Sequence, residues 1–398
     1  MTNRTHVPRA VPRLRIRLHW SDPVLRAIVW QVLILGAVFW GIWYLVDNTG
    51  RNLTARRITT GFGFLNTVAG IPIGEAMIAY DPSKDTYARA LVIGILNTLR
   101  IAVVGIVLAT LLGTLIGIGR LSHNWLLARL AAAYVELMRN IPLLLHLLFW
   151  YSLLLGLPGP RQALRIGDSV FLSNRGIELP LLVWQPAHDW ALLVFVSGLL
   201  ILPAIGWWAH RRQAESGLRP PVWPAGIGLL LVAPLLTWWA LGAPWDIARP
   251  VLRGFNFVDG NKISPEYGAL LIGLVIYTAG YIAEIVRSGI QAVPNGQWEA
   301  ARAVGLHHGT ILRRIVLPQA LRVIIPPMTS QYLNITKNSS LAVAIGYQDV
   351  VSIANTVLVQ TGQAIEGIAY IMAVYLTISL SISLFMNWYN ARVALVER

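Results

Sequence analysis

Long apolar runs separated by shorter polar stretches dominate the chain. Runs at 24–46, 90–119, 140–157, 190–209, 225–242 and 267–286 each approach the roughly 20 residues that a membrane-crossing helix needs. The third is led in by 127–139, which has helical spacing. After 286 comes a polar stretch, 287–318. Apolar residues resume at Ala320, are interrupted at Pro326-Pro327, and meet a polar cluster at 331–340. Paired prolines break a helical ladder and leave carbonyls free, and a seventh span is expected to emerge there and end near Ile353. The eighth runs over 368–388. No lipid-facing pattern of period two appears, which argues against an outer-membrane barrel. The expected fold is an all-α polytopic membrane protein with about eight transmembrane helices.

Composition agrees. Of 398 residues, 56% are hydrophobic and 13% charged, against about 25% charged in soluble domains; mean hydropathy is +0.59. Disorder, collagen, a disulfide scaffold and a nucleic-acid-binding domain are all disfavoured. There is no cysteine, so thiolate metal sites and Cys nucleophiles are excluded.

The net charge of +14 has an address if basic loops face the cytoplasm. Residues 1–23 carry Arg4, Arg9, Arg13, Arg15 and Arg17 against Asp22. The run that follows is too long for a signal peptide and lacks a small-residue cleavage site, so an uncleaved first helix with a cytoplasmic N-terminus is expected. Alternation then puts Arg120 and Arg129, Arg211, Arg212 and Arg219, the 287–318 stretch and the C-terminus inside. The charge-balanced segments 47–89, 158–189 and 243–266 fall outside. Lysine occurs only at Lys84, Lys262 and Lys337, a skew attributed to base composition.

Catalytic motifs are missing. No lysine follows a glycine, so there is no phosphate-binding Gly-Lys-Ser/Thr loop. No His-Glu-x-x-His or Gly-x-Ser-x-Gly occurs. The adjacent His307 and His308 read as a solvated loop pair, and the Gly117/Gly119 pair as small residues for helix packing.

The most informative region is 277–318. Pro294-Asn295-Gly296 is turn chemistry. Gln297 to Val304, rich in alanine, favours a short helix, and Gly305 stands where a left-handed C-terminal cap is wanted. A second helical stretch follows until Pro318 redirects the chain. The result is a short cytoplasmic helix braced by turns, with a thin alanine face suited to a partner's groove.

Here the chain resembles a family. Glu299-Ala300-Ala301, three residues, Gly305, nine residues, then Ile315-x-Leu317-Pro318 is similar to the signature loop of bacterial ATP-binding-cassette (ABC) importer permeases. The residues around it resemble the polar-amino-acid subfamily, the histidine/glutamine/glutamate permease type. So do Asn97-Thr98-Leu99, 134–143 and 336–341. The long eight-span form looks like permeases of general L-amino-acid or glutamate/glutamine/aspartate importers. Asn140-Ile141 and His146 depart from the wider family, which often has Gly-Thr and Gln there.

The resemblance implies a type I ABC importer permease core with added helices. Its parts would be a basic tail (1–23), an extra helix and periplasmic segment (24–87), first core part (88–157), an insertion with two added spans (158–263) and second core part (264–398). It implies an inner-membrane subunit, not itself an enzyme, and ATP-driven import of amino acids by alternating access. The partners would be an ABC ATPase dimer that binds ATP and Mg, a periplasmic amino-acid-binding protein and a second permease, expected to be a different homologous chain. The surroundings are the lipid bilayer; no nucleic acid is expected. In the coupling loop, Gly296, Gln297, Glu299, Ala300, Ala301, Arg302, Gly305, Leu317 and Pro318 are the candidates. Glu299 would contact the ATPase and Gly305 would set the loop geometry. Arg302 adds either a charge contact or only a positive-inside charge.

Polar residues inside spans are functional candidates by default. Gln331, Asn334, Lys337, Asn338, Ser339 and Ser340 either line a translocation path, Lys337 meeting a substrate carboxylate, or pack helices together. Asn97, Thr98, Arg100 and His146 are further path candidates. Glu284 and Arg287, three apart, are placed to pair at the cytoplasmic end. The alternative reading, an ion-coupled secondary amino-acid transporter, needs inverted repeats and paired intramembrane charges, and no convincing repeat between the halves is visible.

Overall fold

The computed structural model describes residues 23–55, 60–218 and 220–393. The arginine-rich tail, Arg219 and Arg398 lie outside the described residues. The first long helix is α1 (Pro23–Ala55), followed by α2 (Tyr87–Arg120), whose start is capped by the Thr86 side chain. Next come α3 (Trp125–Asn140), capped by Asn124, and α4 (Leu143–Leu155). Strands β1 (Leu164–Ile166), β2 (Val170–Ser173), β3 (Gly176–Leu179) and β4 (Leu181–Leu182) lead into α5 (Pro186–Ser216). A returning helix consists of α6 (Trp223–Ile227), a widened π-type turn at Gly228–Val232 and α7 (Ala233–Ala240). Strands β5 (Ile247–Ala248), β6 (Val251–Arg253), β7 (Asn256–Val258) and β8 (Asn261–Ile263) then precede α8 (Pro265–Gln291). The chain ends in α9 (Asn295–Ala303), α10 (His308–Ile311), α11 (Leu317–Asn338), α12 (Val350–Thr361) and α13 (Ala364–Val393).

Among the described residues, six helices are long and apolar enough to cross a membrane, or up to eight if each of two bent pairs counts as one span. The first bent pair is α3 and α4, which meet at 102°. The third span is therefore not one rod, as the apolar run suggested. Pro142 forces extended backbone on Ile141 (φ −95°, ψ 128°), and α4 alone, at 13 residues, reaches only about 20 Å.

The second bend, 54°, lies between the helix ending at Ile345 and α12. It does not occur at Pro326-Pro327, contrary to the sequence expectation. Both prolines sit inside α11, which continues through them; their fixed φ is helical, so each costs the ladder a donor without forcing a stop. The chain turns instead after the tight helical segment Ser339–Ile345, at Gly346 (φ 80°). Pro318 likewise does not redirect the chain. It lies in the first turn of α11, directly after a widened turn at Leu312–Val316 where the regular ladder is already given up.

A small antiparallel sheet was also not foreseen. Its order is β1-β2-β3-β8, so 164–179 joins 261–263 beside the start of α8. Two further two-stranded sheets, β4 with β5 and β6 with β7, are separate from it.

The centre of the body is the α2–α8 pair, held close by glycines. A Cβ at Gly113 would stand 2.7 Å from Ile282, and one at Gly117 2.7 Å from the Ala283 carbonyl oxygen. Gly119 is less constrained, with Ala131 3.7 Å away. Apolar clusters fill the rest: Ile282, Val286, Val316 and Ile335 near one end, Leu147, Leu270 and Leu274 in the middle, Ile93, Ile353 and Val357 at the α12 side. Helix α5 packs on its own returning partner, where a Cβ added at Gly198 would stand 2.8 Å from the Leu229 carbonyl oxygen. The apolar window of α1 is covered by nothing in the described chain.

Candidate functional site

Two polar regions mark opposite ends of the α2–α8 pair. At the end carrying Arg120, α9 starts two residues earlier than the turn chemistry suggested. Pro294 precedes it, Asn295 and Gly296 already lie in its first turn, and Gln297 N–H donates to the Pro294 carbonyl (3.0 Å). Gly296 therefore needs no special conformation. Gly305 does: its φ is +77°, and its N–H donates to the Arg302 carbonyl (2.9 Å) while Leu306 N–H donates to that of Ala301 (3.2 Å). Val293, Ala301, Ile311 and Val316 are buried together with Trp298 against them, and Trp298 stacks on His308 (5.7 Å). His307 caps α10, its Nδ1 accepting from Gly309 N–H at 3.3 Å. One face of α9 is thus anchored through Ala301, while Glu299, Ala300 and Arg302 are exposed. Gln319 reaches Gln297 (3.4 Å); Leu317 is exposed and Pro318 half-buried.

Behind α9, Glu284 on α8 pairs with both Arg120 of α2 and Arg287 of its own helix, and Arg287 also donates to Gln291. The expected Glu284–Arg287 pair therefore forms, with a third member. The charge-assisted bond from Arg120 ties the end of α2 to α8, while Arg287 holds the same carboxylate from within α8.

The path candidates are dispersed. Ser339 is buried and donates to the Thr336 carbonyl (2.8 Å); Ser340 donates to that of Lys337 (2.8 Å). Gln331 and Asn338 are half-buried, whereas Asn334 and Lys337 are exposed on the surface of α11, at the level of Gly105 near the middle of α2. His146 is buried with the edge of Tyr277 5.9 Å away, and its Nε2 has no partner. Thr98 Oγ1 accepts from Val350 N–H (3.1 Å) at the start of α12. Asn97, fully buried, donates to the carbonyls of Glu75 and Gln348, both 2.9 Å.

Arg100 belongs to the second region, a cavity of about 820 Å³ at the sheet end of the body. It is lined by Glu75 and Arg100 with Arg175, Lys262, Glu266 and Tyr347 among others. Glu75 bridges two elements: Oε2 accepts from Arg100 (3.0 Å) and Oε1 from Ser264 N–H (2.9 Å). The Arg100 guanidinium lies 4.0 Å over the Tyr267 ring, which in turn meets Tyr347. Gln348 fastens the preceding loop, accepting from Gly74 N–H (2.6 Å) and donating to the Pro72 carbonyl (2.8 Å). Of the path candidates, Arg100 alone lines this cavity. The sequence reading missed Glu75, Arg175, Lys262 and Glu266 because each sits in a stretch that reads only as polar loop. Gly167-Asp168 and Asn174-Arg175-Gly176 between apolar runs were the available hairpin signals.

Residues 219–395 match the family described as "Binding-protein-dependent transport system inner membrane component". The chain is 48% identical, over 95% of its length and 94% of the relative's, to the general L-amino acid transport system permease protein AapQ of Rhizobium johnstonii. It is 49% identical to the putative amino-acid ABC transporter permease protein YhdX of Escherichia coli, covering 96% of this chain and 97% of that one. It is 40% identical to the glutamate/glutamine/aspartate/asparagine transport system permease protein BztB of Rhodobacter capsulatus, covering 98% of each. These matches take in the first helix and the 158–263 block as well as the signature loop, and they set aside the ion-coupled reading. The chain belongs to the family of membrane permease subunits of binding-protein-dependent ABC transport systems, which are not enzymes themselves and work with a separate ATPase and a binding protein.

Proposed function

We propose that this permease carries L-amino acids, either glutamate, glutamine and aspartate or a broader range, from periplasm to cytoplasm by alternating access. The observation that carries the reading is identity of 40% to 49% with amino-acid permeases over nearly the whole chain. Its place is the bacterial inner membrane, with both termini and α9 on the cytoplasmic side and the sheet and its cavity on the periplasmic side. In that orientation Arg120, Arg287, Arg302, Arg313 and Arg314 gather on the inner side.

In this reading α9 is the coupling element. Its anchored face transmits displacement to α8 and α11, and its exposed Glu299, Ala300 and Arg302 meet the ATPase dimer, which holds ATP and Mg. Gly305 keeps the loop in register. The 158–263 block is an addition to a five-span body. The second permease is a different homologous chain facing α11: exposed Asn334 and Lys337 are costly against lipid, and a subunit opposite converts that surface into a path.

Mass analysis of the purified complex tests the assembly by giving the second permease, the ATPase and their stoichiometry together. The coupling role predicts that Glu299→Ala and Gly305→Pro lower transport and ATPase stimulation while the complex still assembles; unchanged values sink it. Lys337→Met tests the path, which fails if neither rate nor substrate range changes.

A further inference from the structure

The charges around the 820 Å³ cavity are not balanced one for one. Arg100 and Glu75 are paired at 3.0 Å, and Glu266 accepts from the Tyr151 hydroxyl (3.2 Å). Arg175 and Lys262 form no ion pair among the described residues. Arg175 donates to the Asn256 side-chain oxygen. Lys262 is the register partner of Glu178 and feels its charge without closing to ion-pair distance. Asn174 beside them also lines the cavity, but its Oδ1 is closed off from solvent. The sheet thus brings to one side of the cavity two cations without an ion-pair partner.

A ligand complementary to the two cations carries a carboxylate. We propose that the cavity is a reception site for acidic amino acids, in which Arg175 and Lys262 hold the side-chain carboxylate that the neutral isosteres lack. The proposal rests on the permease reading above and deepens it. It makes 158–263 part of the route, because the β2–β3 turn supplies Arg175 and β8 supplies Lys262, while α2 and the loops beside it contribute Arg100, Glu75 and Tyr347. The volume exceeds that of one amino acid, so the ligand is received with its water, and the cations act as a weak selective field.

The test uses the complete complex in proteoliposomes with saturating binding protein, comparing uptake of glutamate with that of its neutral isostere glutamine. Arg175→Gln combined with Lys262→Gln should lower glutamate uptake roughly 3- to 10-fold and glutamine uptake less than about twofold, as expected for charges lost a few ångströms away in a wet site. Arg175→Lys and Lys262→Arg should retain the preference. If the double variant does not assemble, the unaltered complex decides: the glutamate-to-glutamine ratio should fall as ionic strength rises, and a salt-independent ratio overturns the proposal. Equal loss for both substrates with more binding protein needed for half-maximal ATPase stimulation assigns these cations to docking and also overturns it, as does no change in either substrate. An unaltered complex that moves neither amino acid sinks the amino-acid reading itself.

Discussion

Glu75 and Arg100, 25 positions apart, meet at 3.0 Å, and the same carboxylate takes the Ser264 N–H. One side chain therefore fixes the loop before α2 to both α2 and the start of α8. The two side chains are 17% and 25% exposed, between the surface and buried regimes. Replacing Glu75 by alanine should cost about 1–3 kcal/mol, the range for charge-assisted bonds and for a partner left unsatisfied. Thermal melts of the assembled complex for Glu75→Ala, Arg100→Met and the double variant would give the coupling; additive losses would show that the pair is not the anchor.

The α2–α8 contact should tolerate no added carbon at two α2 glycines, whereas a third, which faces α3, should accept one. Gly113→Ala and Gly117→Ala place a methyl within 2.7 Å of packed atoms and should each cost about 1–3 kcal/mol through helix separation. Gly119→Ala meets its first neighbour at 3.7 Å and should be neutral. Yield of monodisperse complex on size exclusion reads the difference.

Gly305 has φ +77° with open space around it, so its requirement is conformational. Alanine there should cost about 1–2 kcal/mol, and asparagine less. Trypsin cleavage after Arg302 should become faster in Gly305→Ala, and an unchanged rate would contradict the conformational argument.

The sheet should loosen as pH rises. Burial lifts the Glu178 carboxyl above its ordinary 4.5, with Lys262 opposing. A carboxyl whose folded pKa exceeds its unfolded one contributes stability that is fully present below the unfolded value and lost as pH climbs through the folded value. Hydrogen-exchange protection of Ile177 and Leu179 should fall as pH rises above the ordinary 4.5, after correction for intrinsic rates. Glu178→Gln should flatten that dependence.

What the sequence made readable was the long-range apolar pattern and the local chemistry of 294–305, because both are written in consecutive residues. Gly305 shows this: its left-handed conformation follows from helix-end geometry alone. The bends were harder. Pro142 does break its helix and Pro326-Pro327 do not, although the residue type is the same; the difference lies in whether the preceding residue is free to leave the helical region. The cavity was illegible for another reason. Its charged lining is drawn from Glu75, Arg100, Arg175, Lys262 and Glu266, and it takes a sheet joining 176–179 to 261–263 to bring Arg175 and Lys262 to one side of it.

The neighbouring two-stranded ladder has a topological consequence. Leu181–Leu182 and Ile247–Ala248 are laddered, and Val183 N–H donates to the Asp246 carbonyl at 2.8 Å. The chain leaves for two membrane crossings and returns to the residue it left, so 184–245 hangs from a closed neck. A segment fastened in that way can be lengthened, shortened or exchanged without rerouting anything below it.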